Sequence, residues 1–300
     1  MNNRPNQENL KLILLVLSSP QQPYKSIQDQ GQERTFITDS FGEVETVRYV
    51  GQEVQLRPRY APLLLLRKVQ HSLLHHSRNR IIGAVVRALS ALRVGDKALK
   101  KLNSLVPNQV PFAEKIDLPE GGFLYRLVTP TPEGWAFIGE KTLQAFKYLL
   151  ENHDFDFIFR TNTSSYVDAT RLLERLNDMP KSGVYAGFVG TALGKLKFAS
   201  GAGILLSRDV VKKICDHASE WKHGLIDDVA LADLVSRFDG PRTELIPLER
   251  LTLHSLKVAM GVDAEQISNS FHVRCKANSP EETIEIMRYV QHIKDLNRKV

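Results

Sequence analysis

An α/β fold on a parallel, doubly wound sheet is what this chain of 300 residues predicts. Short runs at 11–17, 44–50 and 155–159 have the length of strands rather than helices. Stretches of helical spacing alternate with them, and that alternation implies parallel strands joined by crossover helices. The third run passes directly into a polar turn, Arg160-Thr161-Asn162-Thr163-Ser164-Ser165-Tyr166-Val167-Asp168. The carboxyl end of a strand in such a sheet is where ligands bind.

The elements follow in order. Residues 11–17 form a first strand that stops at Ser18-Ser19-Pro20. Residues 26–37 read as a helix carrying Arg34, and 44–50 as the second strand. The segment 56–105 breaks the rhythm: Ile81, Ile82, Val85, Val86, Leu89 and Leu92 recur at helical spacing, apart from Arg80 and Arg87. It reads as one or two basic amphipathic helices inserted into a single domain spanning 1–300. The pattern resumes with a strand at 122–128 and a helix at 139–151 whose Leu143, Phe146 and Leu150 face the core. After the central strand come a helix at 169–176, a strand at 184–189, and a glycine-bearing segment at 198–207 that turns into a helix over 209–218. Ser279 as N-cap, Pro280 at the first helical position and Glu282 at the third open a last helix, which buries Ile286, Met287, Val290 and Ile293.

Composition narrows the class. With 42% hydrophobic and 25% charged residues the chain is an ordinary globular one. Two cysteines, Cys215 and Cys275, make no disulfide framework and no CxxC, which fits a reducing cytosol. The apolar run at 12–17 is too short to span a membrane. His71 and His75 would share a helix face, with His76 beside them, but no third ligand is near in sequence, so no metal site is assigned there. The net charge of +6 is unevenly spread: residues 56–101 hold eleven Lys/Arg and one acid, a local +10, while the remainder is −4.

Four segments carry candidate chemistry, each beside a plainer reading. In the polar turn, Asn162 and Ser164 either close an Asx turn, with Ser165 or Asp168 capping the next helix, or point into a ligand crevice. Gly201 and Gly203 around the small Ala202 allow close approach of a ligand to backbone, or simply make a turn. Asp227-Asp228-Val229 is either an acidic helix start or a general base with its neighbour. His272, Arg274 and Lys276 share one face of a strand, which suits solvent at a sheet edge or an anion such as a diphosphate. Trp135 and Trp221 read as core residues in preference to an acceptor surface.

The order and spacing of these segments resemble the fringe-like β1,3-glycosyltransferases and related bacterial transferases of the GT-A fold. Residues 160–168 lie where that family has a basic residue, a threonine, three aspartates and an aromatic-valine step. Ser200-Gly201-Ala202-Gly203 with Leu206-Ser207-Arg208 is similar to its Ser-Gly segment, Asp227-Asp228-Val229 to its acidic pair and valine, and Arg34-Thr35-Phe36 to an early Arg-x-Thr-Trp element. Lys141 matches a lysine of the helix before the central strand. The resemblance covers roughly 11–51 and 120–276. It implies a Rossmann-like sandwich that transfers a sugar, with inversion, from a nucleoside diphosphate, expected to be uridine diphosphate, to a carbohydrate or lipid-linked glycan. Asp228 would be the base and Asp227 would position it or the acceptor; Ser18, Ser19 and Arg34 would line the nucleotide side; Asn162 and Ser164 would meet ribose or diphosphate; Gly201, Ala202 and Gly203 would let donor and acceptor approach backbone.

The departure is in the triplet. The family's aspartates hold a divalent ion on the donor diphosphate, and here they are Asn162-Thr163-Ser164, a poor set for Mg²⁺ or Mn²⁺. The expectation is therefore catalysis with no metal, the leaving charge being met by His272, Arg274 and Lys276 together with Arg160; a Mn²⁺ or Mg²⁺ requirement is the alternative. The basic segment is expected to dock on an anionic membrane, which places the protein in the cytoplasm at the inner membrane face. Rival readings are a non-catalytic sugar- or membrane-binding protein and a nucleic-acid binder acting through 56–101, although no nucleic-acid recognition motif is present.

Overall fold

The computed structural model describes residues 10–53, 101–102, 104–193, 195–238 and 243–298. The basic segment expected over 56–105 lies almost wholly outside them, as do His71, His75 and His76.

Eight strands form one mixed sheet: β1 (Leu12–Leu17), β2 (Glu45–Gln52), β3 (Phe112–Asp117), β4 (Phe123–Pro132), β5 (Phe157–Asn162), β7 (Tyr185–Ala192), β8 (Leu196–Ser207) and β9 (Leu245–Pro247). Their spatial order is β3-β4-β2-β1-β5-β8-β7-β9. A smaller sheet sets β11 (His272–Cys275) between β10 (Leu251–Leu253) and β6 (Ser165–Val167). The helices are α1 (Tyr24–Ile27), running into a π-helical stretch at Gln28–Ile37, then α2 (Ile138–Asn152), α3 (Ala169–Leu176), α4 (Arg208–Asp216), α5 (Asp227–Val235), α6 (Leu256–Met260), α7 (Ala264–Asn269) and α8 (Pro280–Arg298).

β1 is apolar throughout, and β5 over Phe157–Phe159, because both faces of the sheet are covered there. Ile13, Leu15 and Ile158 pack under α2, α4 and α5, whereas Leu12, Leu14, Phe157 and Phe159 pack under the π-helical stretch, α3 and α8. Successive residues of one strand thus serve opposite cores. The helix expected at 26–37 is irregular, since Thr35 leaves helical geometry at φ −132° and ψ −116°. α8 starts as expected, with the Ser279 hydroxyl accepting from the Glu282 N–H at 3.1 Å.

The wholly parallel sheet is the main expectation the fold corrects. β4, β2, β1 and β5 are parallel, but β8 runs antiparallel between β5 and β7, and β3 runs antiparallel to β4. Connection length explains both. Only residues 193–195 separate β7 from β8, and 118–122 separate β3 from β4, far fewer than the dozen or so a parallel crossover needs. The second turn uses Gly121 and Gly122 at φ 99° and 84°. The segment at 198–207 is therefore a long strand through the sheet rather than a turn.

The small sheet crosses the carboxyl end of β5. β6 follows the polar turn directly and pairs antiparallel with β11, Ser165 facing Arg274. Asp168 caps α3 by accepting from the Arg171 N–H at 3.1 Å and pairs with Lys294 of α8 at 2.9 Å, both side chains buried. Lys294 also donates to the Ser268 and Ser270 carbonyls at 3.0 and 2.8 Å, so α8 is tied to the segment that leads into β11.

Candidate functional site

β1 and β5 end level, Leu17 against Asn162, so their two polar exits lie side by side. A cleft of about 460 Å³ opens there, in the size range of small-ligand sites. It brings together Ser18, Ser19, Asn162, Ser164, Arg274 and Lys276. The small sheet supplies the last two: the Cys275 N–H donates to the Ser164 carbonyl at 2.8 Å, which lays β11 over the turn. A larger hollow of about 990 Å³ lies at the opposite, amino ends of β1 and β2, among Glu43, Glu45 and Asp154, and contains none of the expected residues.

Within the turn Asn162 and Ser164 close on each other and also line the cleft. Asn162 Oδ1 accepts from the Ser164 N–H at 3.1 Å, the Ser164 hydroxyl at 2.9 Å and the Ser165 hydroxyl at 3.3 Å, an Asx turn that also lines the cleft. That oxygen is already engaged by three donors. Two residues earlier on β5, Arg160 engages Asp227, and among the described residues no group of three His, Cys, Asp or Glu side chains converges as a metal site. The donor set at the turn does not fit a divalent ion.

A buried charge network underlies the cleft. Arg160 Nη2 meets Asp227 Oδ2 at 2.5 Å, Nη1 donates to the Gly201 carbonyl at 2.6 Å, and Nε donates to the Tyr49 hydroxyl at 3.0 Å. Tyr49 is in turn hydrogen-bonded to Thr142 at 3.0 Å. Lys141 pairs with Glu133 at 2.9 Å, and Glu133 also accepts from the Gly51 N–H at 2.7 Å. Burial lowers the Lys141 pKa and Glu133 pulls it back up. Both Lys141 and Glu133 reach the cleft wall.

Asp228 opens α5 beside its partner. Its Oδ2 accepts from the Gly201 N–H and its Oδ1 from its neighbour Val229, each at 2.9 Å. Burial, and then the charge of Asp227, push its pKa up to about 6, against the pull of those N–H groups and of Arg160. A carboxylate that titrates near neutrality is suited to taking a proton from a hydroxyl. Gly201 joins it to the cleft: the Gly201 carbonyl lies 3.5 Å from Asn162 Nδ2.

Several expected residues are placed otherwise. Arg160 is enclosed by Tyr49, Gly201 and Asp227, so its guanidinium is committed to Asp227 and the protein's own backbone rather than turned toward the cleft. His272 is buried and neutral, its pKa pushed down to about 3 by burial and then by Arg250 and Arg274, and its Nε2 lies 3.3 Å from the Ser165 hydroxyl. The three-cation face thus contains two cations. Arg34 is exposed on the π-helical stretch and is not part of the cleft wall. Gly201 and Gly203 do not have left-handed backbones. A Cβ at Gly201 would stand 2.7 Å from Arg160 Nη1, and one at Gly203 would overlap the His272 ring, so these glycines make room for the protein's own side chains. Ala202 is buried, and its carbonyl accepts from Thr161 at 2.6 Å and Ser165 at 3.0 Å. Trp221 is buried as expected, but Trp135 is 41% exposed and lines the cleft.

Sequence reasoning passed over Glu133, Tyr49 and Arg250. An acid at 133 and a lysine at 141, eight residues apart across a helix start, carry no recognised spacing. The sequence matches no protein-family model and no curated protein.

Proposed function

We propose that this protein is an inverting glycosyltransferase of the GT-A type that uses a nucleoside-diphosphate sugar, with uridine diphosphate as the expected carrier, and needs no metal ion. The observation that carries the reading is that Asp228, its pKa raised to about 6, is linked through Gly201 to Asn162 of a cleft whose wall also holds Arg274 and Lys276. The strand exits at Ser18-Ser19 and Asn162-Ser164 give hydroxyl and amide partners for ribose and phosphate. Asp228 takes the proton of the acceptor hydroxyl as its oxygen attacks the anomeric carbon. The bond from that carbon to the diphosphate oxygen breaks, and the leaving charge falls to Arg274 and Lys276. Asp227, fixed by Arg160, holds Asp228 in place and keeps its proton affinity high. The acceptor is a carbohydrate or lipid-linked glycan. The +10 segment at 56–101 supports docking on an anionic membrane at the cytoplasmic face, where a lipid-linked acceptor would be met.

The test is transfer or hydrolysis of UDP-sugars by the intact protein, with Asp228→Asn beside it. Turnover that survives EDTA and falls by about a thousandfold or more in Asp228→Asn supports the reading. Activity lost to EDTA and restored by Mn²⁺ removes the metal-free part. Tight binding of UDP without any turnover favours a nucleotide-sugar-binding protein instead.

A further inference from the structure

Arg250 has no part in the reaction just described. It stands one residue before β10, whose parallel pairing with β11 sets Leu251 against Val273 and Thr252 against Arg274. Because side chains alternate along strands, that register puts Arg250, His272 and Arg274 on one face of the small sheet. Their mutual effects agree: the charges of both arginines press on His272, and Arg274 presses on Arg250.

The surroundings of Arg250 hold it in place without neutralising it. Its guanidinium lies 4.1 Å over the Phe188 ring, and its Nη1 donates to the Ser200 hydroxyl at 3.0 Å. Its Nε is buried and has no hydrogen-bond partner among the described residues. Arg48, Lys141 and Arg160 each have a carboxylate partner, but neither Arg250 nor Arg274 forms an ion pair among the described residues. Burial lowers the pKa of each, and Arg250 is pushed down to about 10 by burial and by Arg274. Two half-buried guanidinium groups that repel one another are costly to hold together, and an anion between them removes that cost. A planar guanidinium presents its N–H groups to carboxylate or phosphate oxygens in pairs, and two of them on one face can share a single anion.

Position decides which substrate brings the anion. Arg274 is on the cleft wall, whereas Arg250 is not part of that wall. Arg250 reaches Ser200, the residue before Gly201, and the Gly201 N–H binds Asp228. Asp228 also acts electrostatically on Arg274. The arginine pair therefore borders the base, where the attacking hydroxyl must come. We infer that Arg250 and Ser200, with Arg274, bind a carboxylate or phosphate carried by the acceptor, so that the acceptor of this site is an anionic glycan. This rests on reading the cleft as the donor site.

Isothermal titration separates the two ideas. The intact protein is titrated with UDP and then, UDP-loaded, with methyl β-glucuronide, methyl β-glucoside or inorganic phosphate. The expected result is that glucuronide and phosphate bind and glucoside does not. Arg250→Met should weaken the two anions by about tenfold or more and leave UDP affinity unchanged. Arg250→Lys, which keeps the charge and loses the fork, should fall between them; with Ser200→Ala it carries the comparison if Arg250→Met does not fold. If UDP binds but glucuronide binds no better than glucoside, or Arg250→Met binds the anions unchanged, the inference is overturned and the donor reading stands. Loss of UDP affinity in Arg250→Met also overturns it, by assigning Arg250 to the donor. If UDP does not bind while anions still depend on Arg250, the anion site is upheld and the donor reading falls.

Discussion

Asp228 shows how much of a residue's chemistry comes from its setting. Its pKa stands at about 6 in the folded chain, above the ordinary carboxylate value of 3.8, chiefly through burial. Turnover should therefore rise with pH through about 6 as Asp228 loses its proton, and a pH-rate profile should show that limb. The same shift has a stability consequence of opposite sense. A raised pKa favours the fold below the unfolded value and loses that contribution as pH rises through about 6. Asp228→Asn should then gain in urea midpoint relative to the native chain between pH 4 and 8, and a gap that narrows with rising pH contradicts the assignment. His272 illustrates the reverse. Its strand position was legible from the alternation of 272, 274 and 276, but its neutrality was not, because that depends on burial against Gly203 and on Arg250, which a distant segment brings beside Arg274 of its own strand.

At the scale of elements, the sequence declares what is local. β1, β5 and α3 were legible because an apolar run of strand length, or a helical stripe with an Asp168 cap, is settled by near neighbours. The direction of β8 was not, since it follows from a three-residue connection that reads as an ordinary turn. The pairing of α2 with the end of β4 was equally hidden, although it holds Lys141 on Glu133. Both side chains are almost fully buried, so Lys141→Met should destabilise the protein by about 3–5 kcal/mol by leaving Glu133 charged with no counter-charge. Adding Glu133→Gln should recover much of that loss, and urea unfolding of the single and double variants checks it. A single variant with unchanged stability would mean that Glu133 is not confined as described. The predicted turn at 160–168 and strand at 272–276 proved to be parts of one device, because β6 and β11 pair across it.

The whole molecule divides its charge by region. The segment 56–101 carries +10 and the remainder −4, so a membrane partner should be selected by lipid charge. Intact protein should pellet with phosphatidylglycerol vesicles, stay in solution with phosphatidylcholine, and release as salt is raised; equal pelleting with both lipids would remove the proposal. Among the described residues no helix is long and apolar enough to cross a membrane. The cleft has a further consequence. Its walls come from residues 18, 141, 162 and 274, which meet only when the main sheet, the small sheet and α2 are all in place. A compound that fits there binds the native chain and has nothing to bind in the unfolded one. At a hundredfold excess over its dissociation constant it should add about 2.7 kcal/mol to the free energy of unfolding. Melting temperature can then serve as a reporter of ligand identity, ranking nucleotides and sugars before any reaction product is known.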